Sequence, residues 1–248
     1  MYFKNYVKDI LRRFQLTLVN TKYRWGVDIY ADILKILGGR KMMIAFDVGA
    51  NRGDIALEIK RIFRPNKIHC FEPGNDAFSL LSRRCHGNRY ILNQCAVGNT
   101  SGVAKLHHFF DNKKNTILSG LSDNNLSNLI NISEVDSITL DNYVYLNSVY
   151  TIDFLKIDVE GNEHNVLKGA INTLKKGAIG MKYLEYNKIL PEENKGSLHT
   201  NLSDIIKFLD PLGYRLISNY IQGVHLYEQI LTANALFAHE KFFVYKLD

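Results

Sequence analysis

Three short stretches of this sequence gather polar and ionisable side chains where regular structure must change direction. The first is Asp47-Val48-Gly49-Ala50-Asn51-Arg52-Gly53. Gly49 and Gly53 let the backbone turn sharply and come close to a ligand. A helix starting near Asp54 would offer unpaired N–H groups to a carboxylate, and Asp47 would hold an ammonium group of the same ligand. The spacing departs from the G-x-G-x-x-G fingerprint of dinucleotide sites, which disfavours a pyrophosphate. The second stretch is Glu72 with Pro73 behind it. A carboxylate at the end of the second strand can accept both hydroxyl protons of a ribose. Singly, the loop is only a turn and Glu72 only a solvated strand end; together they favour a ligand that carries a nucleoside. The third stretch runs from Phe154 to His164 and sets Asp158 and Glu160 just beyond a strand, with His164 in the first turn of a helix. These three are candidate catalytic residues, able to take a proton from a hydroxyl. Asp158 and Glu160, joined by Glu185, could instead hold a divalent cation such as Mg that acidifies that hydroxyl. The plain alternative makes Asp158 a helix cap and the other two a solvated helix start.

The surrounding pattern supplies elements to carry these residues. Met42 to Val48 is an apolar run ending at Gly49, which reads as a buried parallel strand, and Ile55 to Ile62 has helical period. Lys67 to Phe71 reads as a second strand, Asp76 to about Cys85 as a helix, and Tyr90 to Val97 as a third strand. Thr151 to Ile157 is a further buried strand, and Val166, Leu167, Ala170, Ile171 and Leu174 mark the helix after it. Ile179 to Tyr186 reads as a fifth strand, and Leu202 to Leu209 as a helix stopped by Pro211 and Gly213. Alternation of this kind predicts a doubly wound α/β sheet covered on both faces. Val103 to Val144 breaks the rhythm, and its Asn/Ser-rich centre, Asp111 to Asn131, reads as a loop or lid. A second helical stretch, Val27 to Leu37, precedes the Gly38-Gly39 break. Before it, Phe3, Tyr6, Val7, Ile10, Leu11, Phe14 and Leu18 recur at helical spacing among Lys4, Lys8, Arg12 and Arg13. Such a basic amphipathic helix suits an arm packed on the domain, a homodimer contact, or peripheral contact with a membrane. The chain therefore divides into a helical arm, 1–40, and a catalytic domain, 41–248.

Phe46-Asp47-Val48-Gly49-Ala50-Asn51-Arg52-Gly53, Phe71-Glu72-Pro73, and Leu155-Lys156-Ile157-Asp158-Val159-Glu160-Gly161 continuing into Val166-Leu167-Lys168-Gly169-Ala170 closely resemble the motifs of the FkbM family of methyltransferases. The resemblance runs from about Val27 to Phe243. It implies a class I methyltransferase fold, Rossmann-like, with a mostly parallel seven-stranded sheet whose last strand, here Lys241 to Tyr245, is antiparallel. It implies S-adenosylmethionine as donor and O-methylation of a hydroxyl on a sugar, in a glycan or natural product. Asp47, Gly49, Asn51, Gly53 and Glu72 would then line the cofactor site, with Ala96 and Asn93 near the adenine. The family's Ser-Ser-Leu signature has its nearest counterpart in Ser119-Gly120-Leu121-Ser122. Methyl transfer from a sulfonium is an in-line displacement, so such an enzyme needs alignment and, for a hydroxyl acceptor, a base.

Composition narrows the partners. The 248 residues are 46% hydrophobic and 23% charged, which fits a globular domain rather than disorder. The formal charge of +6 favours an anionic partner, although much of the excess lies in the first forty-one residues. Nucleic acid is not the expected acceptor, because the Asn/Asp-Pro-Pro-aromatic signature of base amino-methylases is missing. A small molecule or glycan is. Cys70, Cys85 and Cys95 form no CxxC pair and suit a reduced, cytoplasmic setting. No apolar run is long enough to span a bilayer, and no secretory signal opens the sequence. A non-catalytic scaffold that keeps the fold and binds a partner is the competing reading from another class.

Overall fold

Apolar runs bounded by glycine set the strands of the central sheet. In the computed structural model, described for residues 24–111, 116–120, 129–189, 201–225 and 230–242, the chain enters through α1 (Ile29–Leu37). The Asp28 carboxylate accepts from the N–H groups of Tyr30 and Ala31, and Gly38 ends the helix with a left-handed φ of 54°. Then β1 (Ile44–Val48), α2 (Asp54–Phe63), β2 (Lys67–Phe71), α3 (Asn75–Arg84) and β3 (Tyr90–Asn93) alternate. After an excursion through β4 (Ala96–Val97), β5 (Gly102–Asp111), β6 (Thr116–Gly120) and β7 (Leu129–Ile138), the chain returns through α4 (Leu140–Leu146). It continues as β8 (Ile152–Ile157), α5 (Glu163–Lys168), α6 (Ile171–Lys175), β9 (Ile179–Ile189), α7 (Leu202–Leu209), β10 (Tyr214–His225) and β11 (Ile230–His239).

The larger sheet has seven strands in the order β10-β11-β9-β8-β1-β2-β3. β1 lies parallel between β2 and β8, and β8 is parallel to β9. β11 pairs antiparallel with both β9 and β10, so it alone runs against the others. This is the class I methyltransferase sheet that the motif resemblance implies. Its antiparallel strand, however, is Ile230–His239 and not Lys241 to Tyr245: Lys241 belongs to a 3-10 turn over Glu240–Phe242, and residues 243–245 lie outside the described ones. The strand is hard to read from sequence because Ala233, Ala235 and Ala238 carry much of its buried face, and small residues leave a weak alternation.

Helices cover both faces. Ile33, Ile36, Ala56, Ile59, Phe63 and Leu81, from α1 to α3, pack in one cluster with Ala45, Ile68 and Phe154. Leu140, Tyr143, Val166, Leu167, Leu174, Ile205 and Leu209, from α4 to α7, pack in another with Phe46, Phe71 and Leu155. Ile59 and Phe63 of α2 are four residues apart, the spacing that puts side chains on one helix face; burying each contributes about 1.5–3 kcal/mol. α1, inside the stretch read as a helical arm, thus belongs to the same packed layer as α2 and α3. Residues 1–23, which hold the basic amphipathic pattern, are outside the described residues.

Within the stretch expected to be a loop or lid, Asp111 to Asn131, residues 111, 116–120 and 129–131 lie in strands, and residues 112–115 and 121–128 are outside the described ones. β4, β7, β5 and β6 form a second, four-stranded sheet in that order, in which Lys105 faces Glu134 and Val103 faces Asp136. The polar residues that obscure these strands are the solvent side of a half-buried, mostly antiparallel sheet, with Leu106 on its covered side. The third strand expected over Tyr90 to Val97 is split in the same way. Asn93 closes β3 by donating its amide to the carbonyls of Cys70 and Ile91, and Ala96–Val97 pairs instead with Ser137 and Ile138. No helix among the described residues is long and apolar enough to cross a membrane.

Candidate active site

Because β1, β2 and β8 are parallel neighbours, their carboxyl ends finish side by side, where open α/β sheets bind ligands. Backbone bonds stitch these ends together. Gly49 and Ala50 donate to the Phe71 carbonyl at 3.0 and 2.9 Å, Asp158 donates to Val48 at 3.1 Å, and Glu72 donates to Asn93 at 3.1 Å. Gly49, at φ 74°, is pressed so closely on the next loop that a Cβ there would sit 1.8 Å from the Asp158 carbonyl oxygen. Gly53, at φ 86°, opens α2 without a side chain to cap it, and of the first turn the Ala56 N–H is turned to Asp47.

Glu72 is buried and braces the same loop from the β2 side. Its Oε2 accepts from the Asn51 N–H and its Oε1 from the Gly74 N–H, each at 2.8 Å, which holds Asn51 in its left-handed conformation of φ 48°. Burial raises the carboxyl above its ordinary value, and the two N–H donors counteract part of that rise. Each oxygen keeps a lone pair that a ligand hydroxyl could use.

Asp47 is fully buried and meets a cation of the chain itself. Lys156, also buried, places Nζ 3.2 Å from Asp47 Oδ1 and 3.5 Å from Asp158 Oδ2, and donates to the Gly49 carbonyl at 2.6 Å and the Val48 carbonyl at 3.4 Å. Besides the ion pair with Lys156, the Ala56 N–H in the first turn of α2 acts on the Asp47 carboxylate. Burial pushes the Lys156 ammonium toward losing its proton, but Asp47 and Asp158 outweigh burial and hold it charged. Asp47 is lifted by burial and only partly drawn back by Lys156. The ammonium beside Asp47 is therefore Lys156, where the sequence suggested a ligand amine. The signal that would have singled out Lys156 is a charged residue inside an otherwise apolar strand run.

Asp158 is partly exposed, with 41% of its side chain open to solvent. Glu185, on β9 one residue past the partner of Ile157, hydrogen-bonds to it, and burial together with the charges of Asp158 and Glu160 pushes the Glu185 carboxyl up to about 9. Glu160 is exposed on a left-handed backbone of φ 55°, followed by Gly161 at φ 96°. That turn is held by Glu163, almost wholly buried, whose Oε1 accepts from the N–H groups of Val159 and Gly161 at 3.1 Å each. Glu163 had no role in the sequence reading; its place at the start of α5 was its only signal. Among the described residues no three His, Cys, Asp or Glu side chains converge to hold a metal. The divalent-cation reading of Asp158, Glu160 and Glu185 therefore lacks a fitting donor set, and Asp158 and Glu185 meet through a hydrogen bond instead. His164 lies apart from these acids. Its ring packs edge-on against Phe208 of α7 at 5.3 Å, and its charged neighbours are Lys168 and Asp204. Asn93 spends its amide on the strand ends, and Ala96 is buried at the start of the second sheet.

The model of the FkbM methyltransferase domain matches residues 47–216, from Asp47 through Glu72 and Asp158 to beyond Glu185. The chain belongs to the FkbM methyltransferase family. Solved structures similar to this chain include an FkbM methyltransferase from Methylobacillus flagellatus, 15% identical over 79% of this chain and 43% of that one, with a TM-score of 0.48. An rRNA methylase from Streptococcus thermophilus is 11% identical over 88% of this chain and 98% of its own, also with a TM-score of 0.48. A TrmK from M. capricolum, solved with S-adenosyl-homocysteine, is 7% identical over 87% of this chain and 70% of its own, with a TM-score of 0.46. The chain spans less than half the length of the M. flagellatus protein. No curated protein matches its sequence.

Proposed function

We propose that this methyltransferase uses S-adenosylmethionine to methylate a hydroxyl group of a sugar, in a glycan or a glycosylated metabolite. The observation that carries the reading is the uncapped start of α2 beside Glu72, set against Asp158 across Gly49. S-adenosylmethionine supplies a sulfonium-bound methyl group. The first N–H groups of α2 suit its carboxylate, and Glu72 suits its ribose hydroxyls. Asp158, solvent-open on one side and close to Lys156 on the other, is the group able to take the proton of an acceptor hydroxyl as the new C–O bond forms. Lys156 and Glu185 hold that carboxylate in place from two directions. The sugar acceptor rests on the family resemblance and on the absence of a base-methylase signature.

Isothermal titration with S-adenosylmethionine tests the donor, with saturable one-site binding expected; a flat titration would sink the enzyme reading. A methyl-labelled donor offered to cell-extract fractions tests the acceptor. Label should enter a glycan or glycoside fraction and resist mild base, as an ether does. Label in RNA or protein would overturn the sugar assignment, and donor binding without any transfer would favour the scaffold.

A further inference from the structure

Lys156 touches both halves of the site. Asp47 and the Val48 and Gly49 carbonyls belong to β1 and the loop that meets the donor, whereas Asp158 belongs to the face toward the acceptor. One ammonium lies within 3.5 Å of all four. Its charge also reaches Glu72. Asp47 has no exposed surface, and the ammonium it meets is that of Lys156. We propose that Lys156 is a positioning residue that couples the donor loop to the acceptor-facing carboxylate.

The chemistry of the group suits the task. An ammonium is a compact point charge with three donors on a flexible stem, so it can serve acceptors arranged around it; a guanidinium imposes a planar fork. Without that charge, the Gly49 carbonyl loses its 2.6 Å donor and Asp158 loses its cation. The backbone bond from Asp158 to Val48 would then carry the coupling alone. Asp47 would meanwhile be left as a buried, uncompensated anion, which is strongly destabilising in its own right. The informative variant is therefore the neutral double substitution Asp47→Asn with Lys156→Met, in which no charge is stranded.

The kinetic side of this proposal rests on the methyltransferase reading, but its structural side does not. Hydrogen exchange on the donor-free protein should show peptides over 48–53 and 157–163 opening together, roughly tenfold faster in the double variant, with 68–71 unchanged. Donor affinity should fall about tenfold and kcat roughly a hundredfold, since alignment is lost as well as binding. Lys156→Arg should recover part of the kcat, because its charge remains beside Asp158. Wild-type exchange in both loops, or wild-type kcat in the double variant, would overturn the proposal. If the wild-type protein bound no donor, the function would fall, while the exchange experiment would still decide the role of Lys156.

Discussion

On the proposed function, Asp158 and Glu72 divide the site between using the donor and holding it. Asp158→Asn keeps the shape of the loop and the bond from its N–H to Val48, but removes the base. Donor affinity should stay within about twofold while kcat drops by roughly 10²–10⁴, a split that titration and single-turnover rates can read. Equal losses in affinity and rate would instead make Asp158 part of the donor pocket. Glu72→Gln should do the opposite. Its carboxylate braces Asn51 and Gly74 and faces the ribose position, and losing charged hydrogen bonds worth about 1.5–3 kcal/mol corresponds to roughly 10–150-fold weaker donor binding. Unchanged affinity in that variant would leave Glu72 a brace alone. Asp47, Glu72 and Asp158 were legible in the sequence because each is an acid at the end of a buried strand. Lys156 and Glu163 were harder to read: a charge inside an apolar run and an acid at a helix start show that something is unusual there, but not which backbone groups they serve.

The strands of the parallel half were equally legible, as apolar runs ending in glycine or an acid, and for the same reason their ends can be perturbed predictably. Gly49→Ala would drive a Cβ to within 1.8 Å of the Asp158 carbonyl and impose a left-handed backbone on an L residue. The β1 and β8 ends should separate, with a loss of about 1–3 kcal/mol in stability from strain and of turnover beyond that. Urea melts alongside kcat would check it, and a fully active, fully stable variant would mean that the two loops can part freely. β5, β7 and β11 were hidden for a different reason. β7 alternates Ser, Glu and Asp with half-buried residues, and β11 packs with alanines, so neither strand offers the contiguous apolar signal that marks β1 or β8. Only pairing partners distant in sequence reveal them.

Two interior groups on β9 give the molecule as a whole an unusual pH response. Lys182 is fully buried among the described residues, with Nζ 2.7 Å from the centre of the Tyr214 ring and no hydrogen-bond partner, and burial holds its ammonium well below the ordinary lysine range. The unfolded chain keeps that proton up to about 10.4 and the folded one does not, so stability rises with pH up to the ordinary lysine value. Glu185 has the opposite sign. Its folded carboxyl is raised from 4.5 to about 9, so its contribution is fully present below the ordinary glutamate value and is lost as pH rises through about 9. The two trends offset each other across neutral pH. Lys182→Met should add about 1–3 kcal/mol by removing an unpartnered buried amine and expose a stability that declines from pH 5 to 9. Glu185→Gln should expose one that climbs. Denaturant melts across that range would read both, and parallel curves in the two variants would contradict the assignment.

The position of β11 bears on how this protein is made. It pairs on one side with β9 and on the other with β10, yet it follows both in the chain. β10 therefore has no neighbour in the sheet until residues 230–239 arrive to fill the gap. On the ribosome, the loops around Gly49 and Asp158 can assemble while the far edge still gapes, its strand edges exposed to chance pairing. The last-made strand must fit between two made before it, so a nascent chain halted before Ile230 is expected to be most vulnerable to proteases and chaperones along the facing edges of β9 and β10.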